Sequence, residues 1–506
     1  MNPRLKAICD LDVAVTREYV GLHDDYDGYV PDLSPDGVRA RVARLGLPGN
    51  DGDLLTEPDP HDETRVRTVE AALRYELGEL QSHRRNPLWH IAELDLSSYD
   101  RDYAPAGQRA EARHRHLATW PDAIDAAIAS LDRIPAPVAV ALLPAARGLA
   151  AGLDGDRATL DAALAAHQRF VVHLEAAAEH GDPDPALGRG VLERLLSARE
   201  ATAVDLGRLE ERADAERDRL RALLTDACGR LQAGTKPAEI VAELLRDHPD
   251  AGGVLDEAQA ATDEVIAFTI ERGLVPGLDG ACLVAPAPPS RRWALAMMSW
   301  AAPYEADAPS RYYISPPDPS WPAEEQGQWL AVFSRTSLPA ITAHEVAPGH
   351  FAHGRCIRKV SSDVRRTLHS DAFVEGWAHY AEELCLEEGL RATDPRFAAG
   401  VALEALQRVT RLAVSIGLHS GTMPLDEAIA RFEADAFVYG PAARAEATRA
   451  TFDPTYGRYT WGKLEILRLR EQAKATWGSG YSVQRFNAAL LALGSPPLGL
   501  MEHALS

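Results

Sequence analysis

The chain has 506 residues, 46% of them hydrophobic and only 7% aromatic, with a formal net charge of −22. So acidic a chain lacks the basic footprint a nucleic acid requires and is repelled by an anionic membrane surface, so neither partner is expected. Cys9, Cys228, Cys282, Cys356 and Cys385 are scattered with no C-x-x-C pair, which argues against a disulfide framework or a thiolate metal site.

Ala, Leu and Arg abound, which favours helices. The expected fold is mainly α, a large multi-helix single globule. A small β element lies beside an active-site helix pair, with a cleft between helical halves. The N-terminus has no apolar stretch long enough for a signal peptide. The most apolar segment, 136–153, is interrupted by Pro137, Pro144 and Arg147. A soluble, cytoplasmic protein is expected.

Taken in order, residues 3–22 read as a helix, and Ser34-Pro35 opens another, with Ser at the N-cap and Pro at the first helical position. Residues 46–62 form a Gly/Pro/Asp-rich connection. Helices are expected at 63–81, 121–131, 144–152 and 157–178. The longest periodic pattern runs over 187–224, where Leu187, Val191, Leu195, Ala198, Thr202, Leu206, Leu209 and Ala213 step by four and three. It resembles a coiled-coil seam. A homodimer partner is possible there, although an intramolecular neighbour suits its small residues better. Two more helices cover 236–247 and 253–272. Composition changes at Gly273, which divides a helical half, 1–272, from a half carrying the chemistry, 273–506, within one globule. Residues 281–285 and 310–316 are strand candidates, and an extended peptide could be held by its backbone along such a strand.

The second half is organised around His344-Glu-Val-Ala-Pro-Gly-His350. Imidazoles are good zinc ligands, and a Glu directly after the first His is how metallohydrolases place a general base beside the metal. Six steps at about 100° per residue leave the two histidines off a common helical face. Pro348-Gly349 can bend the helix and bring His350 back toward His344. His353, three residues beyond His350, is the rival ligand. In Asp371-Ala-Phe-Val-Glu375-Gly-Trp-Ala-His379-Tyr-Ala-Glu382, a helix places Asp371, His379 and Glu382 within one or two turns of Glu375, as supporting partners. Glu383, Glu387 and Glu388 read as a solvated acidic face.

Glu375-Gly-Trp-Ala resembles the segment from which gluzincin metallopeptidases take a third zinc ligand. The two motifs together resemble a bacterial domain-of-unknown-function family marked by H-E-x-x-P-G-H, similar in fold to carboxypeptidase Taq-type zinc peptidases. Tyr459-Thr-Trp-Gly462…Leu469-Arg470…Ala473 and Phe486…Leu498 resemble that family's closing segments. The resemblance implies one Zn²⁺ per chain held by His344, His350 and Glu375, with Glu345 as general base and a peptide or small amide as substrate. Zinc suits two His and one Glu, as Mn²⁺ or Co²⁺ also would. The fold analogy makes a carboxypeptidase-like activity the first expectation. Tyr459 is the first candidate for stabilising the oxyanion, followed by Tyr312 and Tyr313. Arg470 and Arg311 are candidates for gripping a substrate carboxylate. Two other classes remain open: a metal-dependent hydrolase of a non-peptide amide or ester, and a non-catalytic helical scaffold that retains the motif.

Overall fold

The structure is a computed structural model and describes residues 1–46, 59–306 and 308–505. Most of the expected 46–62 connection lies outside the described residues.

Helices begin where the sequence supplies an oxygen to cap them. Ser34 Oγ accepts from the Gly37 N–H, and Asp156 accepts from the Ala158 and Thr159 N–H groups. The latter starts one of three long helices of the first half: α1 (Ala106–Ser130), α2 (Ala136–Gly148) and α3 (Arg157–His180). They pack together around Trp120, Leu142 and Phe170.

Three expected helices are interrupted. The 3–22 segment breaks into Pro3–Cys9, Val13–Val15 and a π turn at Thr16–Val20, because the Asp12 carboxylate caps a new start at the Val15 N–H. The 63–81 helix starts earlier, at Pro60, and ends in a π turn, Arg74–Glu79. The 187–224 run is two helices, Arg189–Glu200 and α4 (Leu206–Leu231), separated at Ala201, whose φ is 51°. A left-handed residue stops a helix whatever the apolar period around it.

Helix α5 (Val254–Arg272) leads into the sheet, made of β1 (Cys282–Pro286), β2 (Ala296–Ser299) and β3 (Ser310–Ile314). Its order is β1-β3-β2. β1 runs parallel to β3, with Cys282 opposite Ser310, and β2 runs antiparallel to it, with Ala296 opposite Ile314. The edge strand β2 was not among the expected elements. It lies against the two short helices that carry the motif histidines, α6 (Leu338–Glu345) and α7 (His350–Ile357).

Three further long helices surround this pair: α8 (Asp371–Glu387), α9 (Pro395–His419) and, after α10 (Gly440–Phe452), α11 (Arg458–Trp477). α4 packs along α9, so its apolar seam is covered from within the chain. One apolar core runs from Leu192 to Ala504 and contains Phe351, Trp377 and Leu406. Among the described residues no helix is long and apolar enough to cross a membrane.

α8 crosses α11 with no side chain between them. A Cβ on Gly462 would lie 1.9 Å from the Ala372 carbonyl oxygen, and one on Gly376 would lie 2.5 Å from Gly462 Cα. Gly462→Ala is therefore expected to destabilise the protein by ~1–3 kcal/mol through overpacking. Gly229→Ala, exposed on α4 with nothing within 4 Å of the new methyl, is expected to stabilise it by ~0.5–1 kcal/mol. Thermal denaturation of the two variants checks this, and equal melting temperatures would contradict so close a crossing.

Candidate metal centre

α6 ends at Glu345, so His344 and Glu345 occupy its last turn. The chain then turns through Val346–Gly349, with a cis Ala347–Pro348 bond, and α7 begins at His350. The helix is thus broken and restarted, where a bend was expected. Only glycine fits at 349, because a Cβ there would lie 1.8 Å from the His344 carbonyl oxygen. Three hydrogen bonds hold the turn. The Gly349 N–H donates to Ala343 O, the Ala352 N–H to Val346 O, and the Trp377 indole N–H to Pro348 O at 2.8 Å.

This turn returns His350 to His344, with ring centroids 4.8 Å apart at 86°. Glu375, on the first turns of α8, meets both. Its Oε2 lies 3.4 Å from His344 Nε2 and 3.2 Å from His350 Nε2. One ligand atom from each residue falls within 4.8 Å of the others, so the three can hold a metal ion together. His353 is not among them. It is fully buried, and its Nε2 lies 3.1 Å from Gly494 O. Burial keeps its pKa down at about 3, hence neutral.

The surroundings suit a cation. His344 Nδ1–H donates to Glu382 Oε1 at 2.7 Å, which turns its Nε2 lone pair toward Glu375. Glu382 is fully buried and also meets His379 Nδ1 at 3.3 Å and Arg408 at 3.2 Å. Burial would raise the Glu382 carboxyl, but Arg408, His379 and His344 hold it well below the usual range. Glu375 is likewise held low against its burial, chiefly by the two histidines. Burial pushes the Glu345 carboxyl up, and its Oε2 is buried with no hydrogen-bond partner. Glu345, Glu382 and Glu404 thus share the Arg408 guanidinium, and Glu375 stands against the two histidines with Arg458 as its cationic neighbour. Carboxylates gathered this closely beside two imidazoles are stabilised by a cation.

The cluster opens on a cavity of about 470 Å³. His344, Glu345, His350 and Glu375 line it on one side and β2 residues Ala296–Met298 on another, with Tyr459 and several arginines completing the wall. Tyr459 is 5% exposed, and its ring stacks on His344 at 6.0 Å. Arg449 Nη2 donates to its phenol oxygen at 3.2 Å, which leaves the phenol proton free to donate.

Other expected residues lie apart from the cavity. Arg470 is eleven residues beyond Tyr459, about 16 Å along the helix. It pairs with Glu387 at 2.6 Å. Arg311 points from the central strand to Asp102, at 3.3 Å. Tyr312 is fully buried near Thr342 and Glu345, while Tyr313 is buried near Glu18 and Arg291; neither lines the cavity. Asp371 lines the cavity but pairs with Arg199, and His379 reaches the ligands only through Glu382. Glu383, expected in solvent, pairs with the fully buried Lys463 at 2.6 Å and with Arg219.

Arg408, Arg411, Arg449 and Arg458, all lining the cavity, escaped the sequence reading. A signal existed for the first two. Glu404, Arg408, Arg411 and Ser415 step by four, three and four through a mostly apolar helix, which marks a buried polar stripe.

Comparisons agree with this architecture. A lipoprotein-like structure from Shewanella oneidensis, described as “a putative lipoprotein of unknown function”, is 19% identical, with a TM-score of 0.75 over 99% of this chain and 98% of its own. A second, described as “the putative lipoprotein from Colwellia psychrerythraea”, is 16% identical, with a TM-score of 0.77 over 99% of this chain and 97% of its own. Likeness at such identity shows a shared fold. The lipoprotein descriptions also overturn the expectation of a cytoplasmic protein, which rested only on the lack of an apolar leader. No curated protein matches the chain. The family profile of DUF885, “Bacterial protein of unknown function”, matches residues 15–505, and the chain belongs to that family.

Proposed function

We infer that the protein is a zinc-dependent peptidase. The observation that carries this reading is the convergence of His344 Nε2, His350 Nε2 and Glu375 Oε2 beside the Glu345 carboxylate, whose buried Oε2 has no hydrogen-bond partner, at the wall of a large cavity. Two imidazoles and one carboxylate leave a fourth position open, as a catalytic site requires and a structural one does not. The bound metal supplies Lewis acidity and lowers the pKa of water.

The chain's own residues do the rest. Glu345 takes the proton of the attacking water on Oε2 and later passes it to the leaving amine. Its burial favours this, because a carboxylate stripped of solvent is a stronger base. Glu382 fixes the tautomer and orientation of His344. Tyr459 donates its phenol proton to the developing oxyanion, while Arg449 occupies the phenol's acceptor side. β2 favours a peptide over other amides: one side pairs with β3 and the other is a sheet edge, where an extended backbone can add as a further strand. The lipoprotein descriptions of the fold neighbours suit a peptidase of the cell envelope.

Elemental mass spectrometry of tag-free protein is expected to find about one zinc per chain, lost in His350→Ala and retained in His353→Ala. No metal in the wild type after reconstitution and dialysis would end the hydrolase reading. Glu345→Gln is expected to keep the zinc and to lower kcat on a peptide library by ~10²–10⁴-fold. Unchanged turnover would show that the base lies elsewhere. Glu382→Gln is expected to weaken zinc affinity by ~10–100-fold, read by competition with a chelating dye.

A further inference from the structure

We propose that Tyr19 is a second phenol of the cavity, whose hydroxyl donates to a main-chain carbonyl of the bound peptide on the His350 side of the metal centre. This rests on the peptidase reading and adds a substrate-binding residue to it.

Tyr19 belongs to the π turn Thr16–Val20. Such turns recur at functional sites, where the wider winding shifts side chains out of the helical register. Here Arg17 is turned into the protein, 1% exposed, while Glu18 and Tyr19 both line the cavity. Four hydrogen bonds tie the stretch to the connection between β2 and β3. The Trp300 indole N–H donates to Tyr19 O at 3.2 Å, and the Tyr304 N–H to Val20 O at 3.1 Å. The buried Arg101 donates from its two terminal nitrogens to Glu18 O and Trp300 O, at 3.0 and 2.9 Å. The Tyr19 ring meets the Trp300 ring edge-on at 5.6 Å, and Trp300 in turn lies 6.5 Å from the His350 ring. The phenol is thus anchored by its backbone and its ring beside one of the candidate ligands.

Its hydroxyl, by contrast, has no hydrogen-bond partner among the described residues. Other tyrosines of the first half do better: Tyr26 donates to Asp10 and Tyr103 to Asp27, each at 2.7 Å. The adjoining Glu18 cannot serve, because Arg291 and the Ser299 hydroxyl take up its carboxylate. Burial, with Glu18 adding to it, pushes the Tyr19 phenol up, so the group keeps its proton and acts as a donor; Glu375 is among the charges that act on it. A half-buried phenol ordinarily finds a partner for its polar tip, and here the tip faces the cavity that holds the metal cluster.

Position fixes what the phenol meets. Leu295 O accepts from the Ser315 N–H at 2.8 Å, so in the antiparallel alternation Ala296 and Met298 turn their own N–H and C=O groups to the free edge of β2. The next outward carbonyl, Trp300 O, is already taken up by Arg101. A peptide paired with Met298 therefore runs out of this ladder where Tyr19 stands against Trp300. A hydroxyl donor there takes the peptide carbonyl one or two residues farther on, at ~3.3 Å each. Tyr459 stacks on His344, whereas Tyr19 stands, through Trp300, on the side of His350. One phenol thus meets the carbonyl that changes in the reaction and the other a carbonyl that does not.

The test is Tyr19→Phe in the zinc-loaded full chain. The change removes a hydroxyl that bonds nothing in the protein, so melting temperature and zinc content are expected to stay at their wild-type values. On the best-cleaved member of an N-acetylated hexapeptide library, KM is expected to rise ~3–10-fold, the effect of one uncharged hydrogen bond, with kcat kept within ~2-fold. An unchanged KM overturns the proposal while the peptidase reading stands. A fall in kcat at unchanged KM also overturns it, since the phenol would then act on the reacting carbonyl. A higher KM accompanied by lost zinc or a lower melting temperature overturns it as well, because the hydroxyl would then support the fold. If no member is cleaved, binding of the zinc-loaded protein to the same library, immobilised, decides. Retention weakened ~3–10-fold in Tyr19→Phe keeps the phenol site and removes the peptidase reading. Equal retention removes the phenol site, and retention of neither protein removes both.

Discussion

The contact between Gly376 and Gly462 sets the position of α8, and α8 sets the site. Only backbone separates the two helices there. With α8 pressed against α11, three residues within eight positions reach three different targets. Glu375 meets both motif histidines, Trp377 pins the turn between them, and Glu382 holds His344 from behind. The candidate ligands thus come from regular helices whose relative height is fixed by a contact too short to adjust, which is how a constellation keeps its geometry without relying on loops.

Charge is arranged in layers around this crossing. The layer next to the motif histidines is rich in carboxylates, with Glu345, Glu382 and Glu404 around Arg408 and Glu375 against the histidines themselves. The wall beyond Tyr459 is positive, with Arg411, Arg449 and Arg458. Behind α8, Lys463 is buried between Glu216 and Glu383, with Arg219 closing the set. This last group is balanced by its own members and ties α4, α8 and α11 together. The first two layers face each other across one cavity and act on each other, Glu375 on Arg458 and Glu404 on Arg411, and perturbed groups gathered in a cleft are the usual mark of a functional site.

Much of this was legible in the sequence, for local reasons. The His344–His350 spacing, the Pro-Gly between them and the apolar flanks of Glu375 are all short-range signals, and the structure brings the three residues together. The helical character of the fold followed from composition and period. What escaped depended on distance in the chain. Arg470 and Arg311 looked free because their partners, Glu387 and Asp102, lie 83 and 209 residues away. Glu383 looked solvated because Lys463 and Arg219 are also remote in sequence. β2, a four-residue Ala-Met-Met-Ser strand, is too short to show a period. The break at Ala201 is a backbone conformation that no apolar spacing reveals.

Glu18 has a consequence for how the site comes into being. Its carboxylate accepts from Arg291 and from the Ser299 hydroxyl at the end of β2, partners 273 and 281 residues away. The opposite wall of the same cavity is supplied by Arg449, Arg458 and Tyr459. A ribosome making this chain from its N-terminus therefore releases the early wall long before the late one. Loop closure over such spans comes only once the far segment exists. Until Arg449, Arg458 and Tyr459 have been made, His344, His350 and Glu375 lack that wall, so whatever the closed cavity does begins only once synthesis has passed Tyr459.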